Sequence, residues 1–177
     1  MAEKKFTIGA LASNRSGVLT RITGLFTRRG YNIESLAACE TEDPEVSRMT
    51  IILKGDEYIL YQLVKQMGKM EDILKVGCAD ELDCVYRELL LVKVHADPEF
   101  RSQIIEINEI YKAKTVDLSP DTMILEITGD PDKLDAFLKI IEPYGILEMQ
   151  RTGVTALARG AHTLKDRPDG EYEILSK

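Results

Sequence analysis

The 177-residue chain carries 30 acidic and 23 basic side chains, a formal net charge of −7, and 44% of its residues are hydrophobic. That balance excludes disorder of the whole chain, and without clustered Lys and Arg it removes nucleic acid as the main partner. The length suits one medium domain or two small ones. The stretch MAEKKFTIGALA holds no apolar run long enough for a signal peptide, and no later run approaches a membrane span, so no membrane is expected and a cytoplasmic location is. Cys39, Cys78 and Cys84 form no C-x-x-C pair and read as reduced, buried thiols.

In chain order, KFTIGALA (5–12) reads as a strand. From Val18 a helix follows, with Val18, Leu19, Ile22, Leu25 and Phe26 on one stripe and Arg21 and Arg28 away from it. Ser16 or Asn14 can cap its start, and Gly30 suits the left-handed position after its last turn. NIESLAACE and SRMTIILK read as paired strands around the turn TEDPEV. Met49, Ile51 and Leu53 share one face, and Leu36, Ala38 and Ile52 are placed on the other. A second helix runs from about Glu57 to Gly68 with Ile59, Leu60, Leu63, Val64 and Met67 on its stripe, and DILKVGCA closes the first half.

The second half repeats the rhythm. ELLLVKVHA is a strand, and Asp97-Pro98 starts a helix with Phe100, Ile104, Ile107 and Tyr111 inward. KTVDLSPDTMILEITG is two strands around a Ser-Pro-Asp turn. Asp130-Pro131 starts a helix lined by Leu134, Phe137, Leu138 and Ile141, and ILEMQRTG is the last strand. The expected fold is α+β, two ferredoxin-like βαββαβ units over 1–80 and 81–160, with the acidic stretch 79–88 as joint and 161–177 as a loose tail. Helices cover only one face of each sheet, so Leu36, Ala38 and Ile52 point to pairing with a second copy.

Chemistry is scarce. His95 and His162 have no His or Cys at ligand spacing, the carboxylates are scattered, and no P-loop, G-x-G-x-x-G or nucleophile elbow is present. A binding protein is the expectation, with no catalytic residue and no metal. One stretch stands apart, NRSGVLTRITGLFTRRGYNIESL (14–36). Its polar loop precedes a helix N-terminus, whose free N–H groups and dipole suit a carboxylate. Gly17 lets a ligand approach the backbone, and Asn32 offers both a donor and an acceptor to an α-amino-acid main chain. The same residues also read as a cap (Asn14), a turn (Gly17) and a strand entry (Asn32).

SGVLTRITGLFTRRGYNIESL followed by SRMTIILKGDE resembles the ACT domain of the small, regulatory subunits of acetolactate synthase (acetohydroxyacid synthase). VYRELLLVKV and KLDAFLKIIEPYGILEMQRTGVTALARG resemble the C-terminal domain of that family, so the resemblance covers nearly all of 5–160. It implies a homodimeric, non-catalytic subunit in branched-chain amino-acid biosynthesis that holds no cofactor itself. Its partner would be a large catalytic subunit with thiamine diphosphate, Mg2+ and FAD, which it would activate and render sensitive to valine, with leucine or isoleucine as other candidates. The resemblance places the effector between two ACT domains. There its main chain would be held by Asn14 and Gly17 of the loop and by Asn32 of the second strand, with Val18 and Ile33 beside them. Proline is frequent in that family where this chain has Ser16. The alternative is a stand-alone ACT-type amino-acid sensor acting on another protein, and an enzyme built on two ferredoxin-like units is a further rival.

Overall fold

Strand β1 (Lys4–Ser13) forms because Phe6, Ile8, Ala10 and Ala12 alternate along it and bury one face against the core. The computed structural model describes residues 4–79 and 83–166. Helix α1 (Val18–Arg28) follows, burying Val18, Ile22, Leu25 and Phe26 at helical spacing. Leu19, expected on that stripe, is 42% exposed, since it lies about 100° round the helix from Val18. The helix ends where Gly30, at φ 70°, reverses the chain. Tyr31 N–H donates to Phe26 O at 3.0 Å and Gly30 N–H to Thr27 O at 3.1 Å, the paired bonds of a Schellman turn.

Strands β2 (Ile33–Glu40) and β3 (Val46–Gly55), helix α2 (Glu57–Met67) and strand β4 (Ile73–Cys78) complete the first βαββαβ unit. Asp56 caps α2 by accepting from Ile59 N–H. The antiparallel sheet has the order β2-β3-β1-β4, which leaves β2 and β4 as edges. The faces of β2 differ from expectation. Leu36 lies opposite Ile51 and Ala38 opposite Met49, so both share the helix-covered side, and Leu36 packs against the core. The cause is a register shift between Ile33 and Ser35, an irregularity that puts Ile33 and Leu36 on the same face. Of the three residues expected to face away, only Ile52 does.

The second unit repeats the plan with β5 (Cys84–His95), α3 (Pro98–Tyr111), β6 (Lys114–Leu118), β7 (Thr122–Gly129), α4 (Pro131–Ile141) and β8 (Ile146–Arg151), in sheet order β6-β7-β5-β8. Two βαββαβ units on antiparallel sheets are therefore the fold. Asp130 caps α4 through Lys133 N–H, whereas the side chain of Asp97 makes no capping bond at α3. Phe100 is 45% exposed and the α3 stripe is carried by Ile104 and Asn108, with Tyr111 set edge-on to Phe137 at 5.4 Å between ring centroids. Residues 84–88, expected in the joint, belong to β5, and 80–82 lie outside the described residues.

Contacts divide the chain into Tyr86–Val154 and a unit made of Met1–Val85 with the segment from Thr155 onward. The expected tail is thus not loose where it is described. After β9 (Thr155–Ala158), a 3-10 turn at Leu164–Asp166 lies against β1 and β4. Thr163 N–H and Oγ1 both donate to the Asp166 carboxylate, at 2.8 and 2.7 Å, and this closes the turn. Leu164 is 6% exposed, with a methyl 3.6 Å from where a Cβ on Gly9 would stand. Arg48 donates to Ala156 O at 2.9 Å, on the sheet side opposite the helices. There Thr7, Leu11 and Thr50 are buried although no helix covers them. Residues 167–177 of the expected tail lie outside the described residues.

Leu164→Ala is expected to cost about 2–4 kcal/mol of stability, through lost burial and a residual cavity over Gly9. Denaturant unfolding of the full chain measures it. A loss below ~0.5 kcal/mol, typical of surface positions, would mean that the turn merely rests on the sheet.

Candidate functional site

The loop between β1 and α1 is held from several sides. Asn14 N–H donates to Glu45 O at 2.7 Å, and its side-chain amide donates to Pro44 O at 2.8 Å. Ser47 Oγ donates back to Asn14 Oδ1 at 2.9 Å. The Asn14 side chain therefore fastens the loop to the β2–β3 turn and does not cap α1. Ser16 makes no cap either: the residue before the helix is Gly17, at φ 85°, with no side-chain capping bond. That left-handed backbone is one L side chains rarely adopt, which is why glycine stands there.

The uncapped start leaves donors available. Val18 N–H donates to Arg15 O and Arg21 N–H to Gly17 O, but among the described residues no acceptor takes the N–H of Leu19 or Thr20. These are orphan donors at the positive end of the helix dipole. Sequence reasoning missed the cation beside them. Arg21 Nη1 stands 3.2 Å from where a Cβ on Gly17 would be, and its Nε donates to Asp72 Oδ2 at 2.7 Å. That hydrogen bond holds the Asp72 carboxyl below its ordinary value and raises Arg21 above its own. With the folded value depressed, the pair's contribution is present above the ordinary carboxylate range and is lost as pH falls through the lowered value. The corner thus combines free N–H groups, an arginine and the exposed Leu19, a set suited to a carboxylate attached to a small apolar body.

The remaining candidates fall elsewhere. Val18 is 2% exposed and packed in the core, so its side chain is not on offer. Ile33 is half-buried opposite Leu53, and Asn32 is exposed immediately before β2. Asn32 and Gly17 do not converge within one chain. Strands β1 and β2 both run antiparallel to β3, so they run parallel to one another. Gly17 follows the end of β1 and Asn32 precedes the start of β2, which puts them at opposite ends of the sheet. At roughly 3.3 Å per residue the strand length between them is about 26 Å, several times the span of an amino acid.

Among the described residues no group of three or more His, Cys, Asp and Glu side chains is arranged to hold a metal ion, and no helix is long and apolar enough to cross a membrane. No disulfide joins the cysteines, and only Cys78 is buried. Cys39 is exposed because its strand is an edge, and Cys84 is intermediate.

The fold and this corner define a protein of two ferredoxin-like, ACT-type units. A family model described as an AHAS small subunit-like ACT domain matches residues 8–75, and one described as the small subunit of acetolactate synthase matches 87–160. The chain is similar to a probable acetolactate synthase small subunit of Methanothermobacter thermautotrophicus, 48% identical over 89% of this chain and 94% of that one. It is 44% identical to the acetolactate synthase small subunit of Mycolicibacterium smegmatis, over 87% of this chain and 91% of that one. The crystal structure of the acetolactate synthase small subunit from Thermotoga maritima superimposes with a TM-score of 0.82 at 35% identity, over 89% of this chain and 98% of that one. The chain belongs to the acetolactate synthase small-subunit family.

Proposed function

We propose that the chain is the regulatory subunit of an acetolactate synthase, binding valine at the Gly17 corner and acting on a catalytic subunit that carries the cofactors. Family membership supports the partnership. The observation that carries the effector site is the uncapped start of α1, where among the described residues no acceptor takes the Leu19 and Thr20 N–H groups and Arg21 Nη1 stands 3.2 Å from where a Cβ on Gly17 would be. The exposed Leu19 side chain offers apolar surface to a branched aliphatic group.

In this reading the site is completed by a second copy. Strand β2 is an edge whose sequence IESLAACE contains neither Pro nor Lys, two common means of blocking strand addition. Antiparallel pairing of β2 with β2 of another copy carries the partner's Asn32 to the Glu40 end, where Asn14 is fastened to the β2–β3 turn. Each twofold-related site then takes its N–H groups from one copy and its amide from the other. Asn14 shapes the loop, Gly17 leaves room, and Asn32 hydrogen-bonds the ligand main chain. Val18 and Ile33 hold the ends of their elements in the core. Inhibition follows by linkage, valine favouring the arrangement of the dimer that activates the catalytic subunit poorly.

The test is acetolactate formation from pyruvate by each subunit alone and by the mixture, with and without valine. The expected result is no turnover by this chain alone, a gain on mixing, and loss of that gain on adding valine. Turnover by this chain alone, or no gain on mixing, would overturn the regulatory role. A gain that valine leaves untouched would overturn the effector assignment.

A further inference from the structure

We propose that Asp72 is a positioning residue of the effector site, gripping both ends of the Asn14–Gly17 loop so that the N–H groups at the start of α1 stay aimed at the ligand. The inference rests on the reading of that corner as the valine site. At the entry to the loop, Ser13 N–H donates to the Asp72 carbonyl oxygen at 2.8 Å. Beyond the exit, in the first turn of α1, Arg21 Nε donates to the Asp72 carboxylate at 2.7 Å. One residue thus ties the last position of β1 to the helix that the loop leads into. Asn14 fastens the opposite side of the loop to the β2–β3 turn, so the segment is held between two anchors.

The second unit shows that the fold does not require this carboxylate. There His95, the last residue of β5, donates its N–H to Gly145 O at 3.1 Å, and Gly145 immediately precedes β8 as Asp72 immediately precedes β4. The backbone bond is the same, but the side chain is missing. The corner is instead an open cleft lined by His95, Asp97, Phe100, Gln103, Pro143 and Tyr144. The sheet and both helices form regardless. The carboxylate is therefore an addition to the common plan, placed in the unit that has the left-handed Gly17 at its helix start and Arg21 beside it. An ion pair this exposed contributes little to global stability. Its effect falls on Arg21, whose guanidinium is kept beside Gly17 only while Nε is held.

The experiment is calorimetric titration of valine into the full-length wild type and into Asp72→Ala, Asp72→Asn and Glu71→Ala, with amide exchange followed at Arg15 and Val18. Both of those N–H groups are bonded within the loop, Arg15 to Ser13 O and Val18 to Arg15 O. Asp72→Ala is expected to raise the valine Kd at least about tenfold and to speed exchange at both amides, with the melting temperature within about 2 °C of wild type. Asp72→Asn keeps an acceptor for Arg21 Nε and should stay within about threefold. Glu71→Ala removes a neighbouring carboxylate outside the grip and should match wild type. Unchanged affinity in Asp72→Ala, where the wild type binds, overturns the positioning role and leaves the site reading standing. A drop in melting temperature large enough to explain the weaker binding makes Asp72 merely structural and also overturns it. A wild type with no saturable valine binding removes the site reading, and the proposal with it.

Discussion

Gly17→Asp is expected to abolish measurable valine binding while the chain stays folded. Three effects act in the same direction. Gly17 has φ 85°, so any side chain there strains the backbone, by about 1–2 kcal/mol, with aspartate among the better tolerated. The added Cβ would stand 3.2 Å from Arg21 Nη1, and the new carboxylate would compete with Asp72 for that guanidinium. It would also place a negative charge where the ligand carboxylate meets the helix N-terminus, and about 1.4 kcal/mol of lost interaction already weakens affinity tenfold. Against a stability of ~5–15 kcal/mol the backbone strain is survivable. Asn32→Ala should weaken binding for a different reason, removing hydrogen bonds to the ligand main chain without adding bulk or charge. If these residues served only as turn and strand entry, the melting temperature would fall and valine affinity would hold. Calorimetric titration of both folded variants, with thermal melts alongside, separates the outcomes. Wild-type affinity in both variants would sink the site assignment.

Mixing the two defective chains should restore wild-type-affinity binding that neither shows alone. Asn32 and Gly17 lie at opposite ends of the sheet of one copy, so a single site must draw them from two copies. In a Gly17→Asp/Asn32→Ala heterodimer, one site receives both substitutions and the other receives neither. Random exchange of subunits then gives about a quarter of the wild-type valine capacity, at wild-type affinity, since half of the dimers are mixed and each has one intact site. The measurement is calorimetric stoichiometry after co-refolding or prolonged incubation of equimolar variants. Zero capacity in a mixture shown to contain heterodimers would mean that each site lies within one chain, and the edge pairing through β2 would have to be abandoned.

The alternation of elements was legible because the periodicities are strong and local. The stripe Ile22, Leu25 and Phe26, the terminating Gly30, and the Asp56 and Asp130 caps each depend on residues within a few positions of one another. What escaped reading depends on contacts distant in sequence or on a single inserted residue. The irregularity between Ile33 and Ser35 reverses the parity of β2 and moves Leu36 and Ala38 to the helix side, which simple alternation cannot reveal. Asn14 has the composition of a helix cap, yet its amide goes to Pro44 and Ser47, about thirty residues away. Arg21 was visible as a residue off the apolar stripe, but its bond to Asp72 spans 51 positions. The burial of Val154 and Ala156 between exposed Thr155 and Leu157 is the signature of β9. It is too short to be persuasive alone. Of the candidate site, the Gly17 turn and the helix N-terminus could be foreseen. The arginine that completes the corner, and the distance separating Asn32 from it, could not.

The return of the segment from Thr155 to the first unit sets an order of completion during synthesis. Tyr86–Val154 is one uninterrupted stretch, able to close its sheet as soon as it leaves the ribosome. The earlier-made unit, by contrast, has Gly9 and Leu11 on an uncovered sheet face until Leu164 emerges. At ~5–20 residues per second that wait, from Val85 to Leu164, lasts about 4–16 s. During it the nascent chain presents an incompletely covered sheet and the unblocked edge of β2 together, the combination most prone to unintended strand pairing between neighbouring chains on one message. The half of the molecule that is translated first is thus the last to be sealed.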